Sequence, residues 1–265
     1  MNERLVYKHT VSLSLGLAFI LLHVLLVGVD AADRGLEIMR QVERQQRTDT
    51  RMHDAAIEVV DNTGKVLRKN WQFWGEGWHG ESKVLIRFTA PAEVRGVGLL
   101  TLNHLNKPAE QWLYTPSIQR ERRIAPQEKT ARFMGTDFTH EDMEERSVEG
   151  YDYDLLGEET VDGQPTYKLK GVYKERGNTQ YSYLVLRVRK DMMVTTAIEF
   201  YTDGKLRKTL LWSDWRQVQG IWTAHTIELK DLARDSMTRL RISNVQYNMA
   251  LDPDWFSLRT LRRAF

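Results

Sequence analysis

Cysteine is absent from the 265 residues, which excludes disulfides, thiolate metal sites, a cysteine nucleophile and a lipidated N-terminal cysteine. Proline is scarce at 6 residues, and the 17 glycines show no period, so neither a collagen-like nor a low-complexity chain fits. A surplus of one charge sign is missing too. Lys and Arg total 38 against 36 Asp and Glu, a formal charge of +2, which gives no footing for a nucleic-acid partner. Catalytic signatures are equally thin. Beyond residue 31 the histidines are His53, His79, His104, His140 and His225, with neither H-x-H nor H-E-x-x-H spacing, so no metal site is expected and no cofactor is implied. No Gly-x-Ser-x-Gly elbow, phosphate loop or dinucleotide glycine fingerprint occurs. What is present, 42% hydrophobic and 28% charged, is the composition of an ordinary folded protein.

Only one long apolar run exists. Arg4 and Lys8 precede Val11 to Val29, which contains no acid or base except His23. It ends at Val29-Asp30-Ala31, small residues at the −3 and −1 positions of a signal-peptidase site, so residues 1–31 read as a cleavable signal peptide. The alternative is an uncleaved anchor, because a run of this length just spans a bilayer. With cleavage, residues 32–265 form one soluble, exported, periplasm-like domain with no permanent membrane anchor.

After that segment the pattern predicts one helix, then strands. Asp33 suits an N-cap for a helix to about Arg47, with Leu36, Met39, Val42 and Gln46 roughly on one face. Strand signals run from Ala55 to Tyr247, punctuated by Asp61-Asn62-Thr63-Gly64, Asp162-Gly163 and Asp203-Gly204 turns. Asp252-Pro253-Asp254 predicts a short C-terminal helix starting near Trp255 and Phe256. About ten or eleven antiparallel strands without α/β alternation imply a mostly-β fold, a large and strongly curved sheet or barrel.

Several of these strands are apolar on both faces, and eight tryptophans lie beyond residue 70. A sheet in water needs only one apolar face, so the other must meet helices, a second sheet or a ligand. Ordinary core filling accounts for any single tryptophan; collectively they suit an aromatic-lined cavity in a half-closed barrel. Strand parity selects Trp71, Phe73, Ile86, Phe88, Leu100, Trp112, Tyr114, Leu186, Ile198 and Phe200 as cavity candidates.

Residues 84–142 are the most distinctive. Phe88-Thr89-Ala90-Pro91 with Gly96, Gln111-Trp112-Leu113-Tyr114-Thr115-Pro116, Arg122-Arg123-Ile124 and Phe133-Met134-Gly135-Thr136-Asp137-Phe138 occur in order, followed by Glu141-Asp142. Trp212-Ser213-Asp214-Trp215, Gly220-Ile221-Trp222 and Asn244-Val245-Gln246-Tyr247-Asn248 come later. In these motifs the sequence resembles the outer-membrane lipoprotein-sorting proteins, relatives of the soluble LolA-like lipoprotein carrier. The resemblance implies an unclosed antiparallel barrel whose open side is covered by helices and which encloses an apolar cavity for lipid or lipoprotein acyl chains. It also implies a role beside an inner-membrane lipid exporter of the resistance-nodulation-division type.

The residues themselves read compatibly. Arg120, Arg122 and Arg123 stand in a loop-like stretch with Asp137, Glu141 and Asp142 following, which predicts an ion-paired loop clamped over the sheet mouth. Gly135 permits positive φ between Met134 and Phe138. The segment from Arg122 to Phe138 is then either a structural plug or a lid whose arginines also meet an anionic headgroup. Two other classes stay open: a periplasmic lipid hydrolase using His140, otherwise read as a surface or loop residue, and a protein-interaction module without lipid cargo.

Overall fold

The computed structural model describes residues 31–263 apart from 79, 176 and 178, so residues 1–30 of the expected signal peptide and the terminal Phe265 lie outside the described residues. No helix among the described residues is long and apolar enough to cross a membrane.

The chain begins with α1 (Ala31–Gln45). Its buried positions are Gly35, Ile38, Met39 and Val42, the i, i+3, i+4, i+7 stripe of an amphipathic helix. Ile38 takes the place expected of Gln46, which is exposed, and Asp33 lies inside the first turn instead of capping it. Gly35 is required by close approach: a Cβ there would lie 2.5 Å from the carbonyl oxygen of Tyr153.

Among the described residues thirteen strands follow. They are β1 (Thr50–Val60), β2 (Val66–Trp78), β3 (Glu81–Ala90), β4 (Gly98–Leu102), β5 (Glu110–Thr115), β6 (Arg120–Arg123), β7 (Tyr151–Val161), β8 (Gln164–Tyr173), β9 (Tyr183–Arg189), β10 (Val194–Thr202), β11 (Lys205–Val218), β12 (Ile221–Asp231) and β13 (Ser236–Tyr247). Strand β6, Arg-Glu-Arg-Arg, was expected as loop because it has no apolar alternation; backbone pairing with β5 makes it a strand. The Asp-Gly turns form as expected, with φ of 49° and 76° at Asp162-Gly163 and 50° and 72° at Asp203-Gly204.

All thirteen strands make one antiparallel sheet in the order β6-β5-β4-β3-β2-β1-β13-β12-β11-β10-β9-β8-β7. Two meanders, β1–β6 and β7–β13, are thus fused along the β1–β13 pair. The sheet is not closed: β6 and β7, consecutive in the chain, are its two outer edges.

Residues 124–150 must therefore cross from one edge to the other, and their contacts show how curved the sheet is. His140 bonds Gln111 on β5, while Asp142, two residues later, bonds Lys208 on β11. Those strands are seven spacings apart along the sheet, about 34 Å if it were flat. Two residues span only about 7 Å, so the sheet must roll up around this crossing segment, hereafter the strap.

Each face has its own apolar cluster. The concave face joins Ile57, Trp71, Phe88, Leu186, Phe200 and Leu229 with Ile38, Met39 and Val42 of α1 and with Phe133 and Phe138 of the strap. The convex face carries Trp74, Leu85 and Leu100 beneath Phe256 and Leu261 of the C-terminal segment. That segment ends in α2 (Leu258–Arg262), capped by Ser257, whose hydroxyl accepts from the Thr260 amide; the helix starts later than Asp252-Pro253 predicts. Buried Arg87 donates to the carbonyls of Thr260 and Leu261 at 2.7 and 3.1 Å, satisfying the C-terminal end of α2, and burial pushes its pKa down to about 10.

Candidate functional site

The strap starts where buried Ile124 donates its amide to the Gln111 carbonyl at 2.8 Å. A tight hairpin follows: Phe133 donates to the Phe138 carbonyl at 2.8 Å, and Arg132 bridges Thr139. Met134 and Gly135 both have positive φ, 49° and 74°, which turns the chain sharply and sends Phe133 and Phe138 into the concave interior. Thr136, fully buried, donates its hydroxyl to the Phe133 carbonyl at 2.7 Å.

Asp137, 1% exposed, fastens this hairpin to β13. Its carboxylate accepts from Ser236 Oγ at 2.5 Å, Thr238 Oγ1 at 2.7 Å and Arg132 Nη2 at 3.1 Å, and its amide donates to Thr238 Oγ1. Lys69 of β2 donates to the Met134 carbonyl from the other side.

Asp142 is the second fastening. It accepts from Lys208 Nζ at 2.7 Å, Tyr181 Oη at 2.8 Å, Arg146 Nη2 at 3.1 Å and both the amide and hydroxyl of Thr139 at 2.9 Å. Burial acts to raise its pKa, but Lys208 and Arg146 outweigh it and hold the carboxyl below the usual carboxylate value. Tyr181, buried beside this carboxylate, is pushed up and stays a neutral donor. Further along, Glu145 accepts from Ser82 Oγ and the Gly80 amide, and Glu149 makes a bidentate pair with Arg40 of α1 at 2.7 and 3.0 Å.

The acids of the strap therefore pair elsewhere than the sequence suggested. Arg122 pairs with Glu128 and Arg123 with Glu110, all at the edge of the sheet, while Asp137, Glu141 and Asp142 reach partners in the second meander and its loops. Chain proximity hid this, because the partners, Lys208 and Ser236 among them, are brought over by the rolling of the sheet. One signal was available: Lys208 shares strand parity with the apolar Leu210, so it is a cation on an inward face.

His140 is not a surface residue. It is 5% exposed, its Nδ1 hydrogen-bonds Gln111 Oε1 at 3.0 Å, and its ring packs edge-on against Phe133 at 5.6 Å. Burial lowers its pKa, which keeps the imidazole neutral.

Seven of the ten cavity candidates meet on the concave side: Trp71, Ile86, Phe88, Leu186, Ile198 and Phe200 in the cluster, with Phe73 packed against it. Leu100, Trp112 and Tyr114 belong instead to the convex cluster under the C-terminal segment, and Leu99 and Leu113 face inward in their place. Parity offered no choice between two apolar faces.

The concave interior is filled by the protein's own side chains. Phe133 lies 5.8 Å from Phe88 and 6.3 Å from Trp71, ring to ring, and Phe88 and Phe200 are at most 1% exposed. A cavity of about 490 Å³ opens beside the strap at the roll's mouth, lined by Glu141, Glu144, Arg146, Tyr151, Tyr173 and Lys129 among others, and its walls are as polar as apolar. A second, of about 310 Å³, lies on a polar stretch around Asp54, Asn70, Gln72 and Ser243. Neither is a hydrocarbon tunnel.

An unclosed antiparallel roll with one helix and a strap over its concave face is the LolA-like fold. A LolA superfamily protein from Nitrosomonas europaea shares it with a TM-score of 0.69 at 20% identity, over 85% of this chain and 98% of that one. Residues 80–263 match a family model described as an uncharacterized protein, and the chain belongs to that family. Two solved structures are closer in sequence. A DUF1329 family protein from Desulfovibrio piger aligns with a TM-score of 0.84 and 29% identity over 88% of this chain and 99% of that one. A domain described as an outer membrane lipoprotein-sorting protein, from Vibrio parahaemolyticus, aligns at 0.83 and 25% over 88% and 100%. No curated protein sequence matches the chain.

Proposed function

We propose that this protein is a soluble periplasmic carrier that shelters acyl chains of a lipid or lipoprotein on the concave side of its sheet, the strap serving as lid. The observation that carries the reading is the construction of the strap. It holds the interior shut with apolar plugs, Phe133 and Phe138, but is itself fastened by discrete polar anchors at Asp137 and Asp142. The likeness to a domain described as a lipoprotein-sorting protein supports the same class of cargo.

Magnitudes permit the exchange. Breaking the contacts of one charged anchor costs roughly 3–5 kcal/mol. A buried methylene returns about 0.8 kcal/mol, so ten methylenes supply about 8 kcal/mol before ordering costs, which balances the roughly 6–10 kcal/mol of the two anchors only when Phe133 and Phe138 repack against the acyl chain and stay buried. Marginal exchange suits a carrier, which must also release. Delivery would run toward the outer membrane, with an exporter of the resistance-nodulation-division type as donor at the inner membrane. The signal peptide at residues 1–31 would place the protein there.

Chemistry on the lipid is not part of this reading, since His140 is committed to Gln111 and Phe133. The filled interior favours one rival, a protein-interaction module with a permanently plugged core. Organic extraction of the purified protein followed by lipid mass spectrometry, with uptake of a fluorescent long-chain fatty acid, tests the two. Co-purifying lipid or saturable uptake is expected; an empty protein that takes up no probe overturns the carrier.

A further inference from the structure

Three hairpin tips lie side by side at one end of the sheet. β1–β2 turns at residues 61–65, β12–β13 at 232–235 and β10–β11 at 203–204. Because β1 pairs with β13 and β12 with β11, the tips follow one another at intervals of about 10 Å, two strand spacings. The last two touch directly, the Leu232 amide donating to the Arg207 carbonyl at 3.0 Å.

Of eight large aliphatics exposed among the described residues, four are on these tips: Val66 at 38%, Leu67 at 44%, Leu206 at 36% and Leu232 at 48%. Exposed basic residues flank each one: Lys65 and Arg68, Lys205 and Arg207, Lys230 and Arg234. The acids among them are Asp61, Asp203, Asp231 and Asp235. Two of these bond their own turns: Asp61, at the surface, accepts at Oδ1 from the Thr63 and Lys65 amides, and Asp231, 4% exposed, accepts from the Ala233 and Arg234 amides. Arg68 meets Glu58 at an exposed site where such a pair is weak, Arg207 and Arg234 meet Asp231 at 3.9 and 3.3 Å, and Asp203 and Asp235 are exposed, so the six bases of the tips outnumber their four acids by two. The outward surface is thus aliphatic points set among charges with a net positive balance of two, the chemistry that an anionic bilayer surface rewards twice, through its interfacial apolar layer and its surface potential.

We infer that this end of the sheet docks on the surface of an anionic phospholipid bilayer. The same end carries the strap's Phe133–Phe138 hairpin: Asp137 is tied to Ser236 and Thr238 at the start of β13, and Lys69, two residues beyond Leu67, holds the Met134 carbonyl. If the carrier reading holds, docking sets the Phe133–Phe138 hairpin beside the membrane that gives or takes the cargo; the docking itself does not depend on that reading.

Vesicle co-sedimentation of the soluble purified protein tests it, using phosphatidylcholine alone and phosphatidylcholine mixed with phosphatidylglycerol. Binding is expected to the mixed vesicles only, to weaken about ten-fold or more at high salt, and to fall by about as much in L67S/L206S/L232S and in K65Q/R68Q/K205Q/R207Q. All these side chains are exposed, and circular dichroism with thermal melting checks that the variants fold. Equal binding to both vesicles, no binding, or binding that ignores both variants overturns the inference. So does capture of a protein partner that the variants abolish while vesicle binding stays absent. Lipid content by mass spectrometry reads the carrier function separately.

Discussion

Phe138 and Trp112 both carry aromatic rings in the family-like motifs, yet they lie on opposite faces of the sheet. Phe138 plugs the concave side and Trp112 packs under the C-terminal segment, so their replacement by Asp separates two roles. We expect Phe138→Asp to abolish fatty-acid uptake, and Trp112→Asp to leave uptake intact while loosening the C-terminal segment, seen as faster proteolysis after Tyr247. Loss of uptake in both, in step with loss of fold, would return Phe138 to a purely structural role. His53 shows a second residue-level effect. It stacks on Phe73 at 4.5 Å, and burial, then the charge of Arg51, lowers its pKa to about 4. The folded state therefore binds fewer protons than the unfolded one between about pH 4 and 6.5. The stability from this group is complete above about 6.5 and is lost as the pH falls toward 4, at most about 3 kcal/mol. Denaturant melts across that window should show the slope, and His53→Phe should flatten it; an unchanged slope would mean the imidazole is not the source.

The strap is the element on which function turns, and the absence of native cysteine makes it easy to lock. Asp137 and Ser236 are in side-chain contact, and Asp137→Cys with Ser236→Cys, which must draw the two Cβ atoms to about 3.8 Å for the bond to form, is the cross-link that tests the lid. Oxidised, this variant should melt higher than when reduced and should refuse fatty acid; reduction should restore uptake. Uptake that is indifferent to the cross-link would show that cargo, if any, enters by another route. The hairpin turns, Gly135 and the strands β1 to β5 and β7 to β13 were legible in the sequence because each depends on local φ preferences and period-2 patterning. Strand β6 was not, since Arg120 to Arg123 owe their extended form to pairing with β5.

For the whole molecule, the two meanders are joined by the β1–β13 ladder and buckled by the strap from edge to edge. Unfolding should be a single cooperative transition, the calorimetric enthalpy matching the van't Hoff value. Two resolved transitions would mean that the halves are independent and that the strap closes nothing. The sequence by itself determined the class of fold, most of the strands, most turns, and that both sheet faces must be covered, because hydrophobic period and turn chemistry are local properties of the chain. Only the tertiary structure decided which apolar face became the inside, that Asp137 and Asp142 of the strap reach Ser236, Thr238 and Lys208 and not Arg120, Arg122 or Arg123, and that the interior is closed. Those outcomes follow from rolling the sheet, which brings residues a hundred positions apart into hydrogen-bonding distance, and no local pattern encodes that distance.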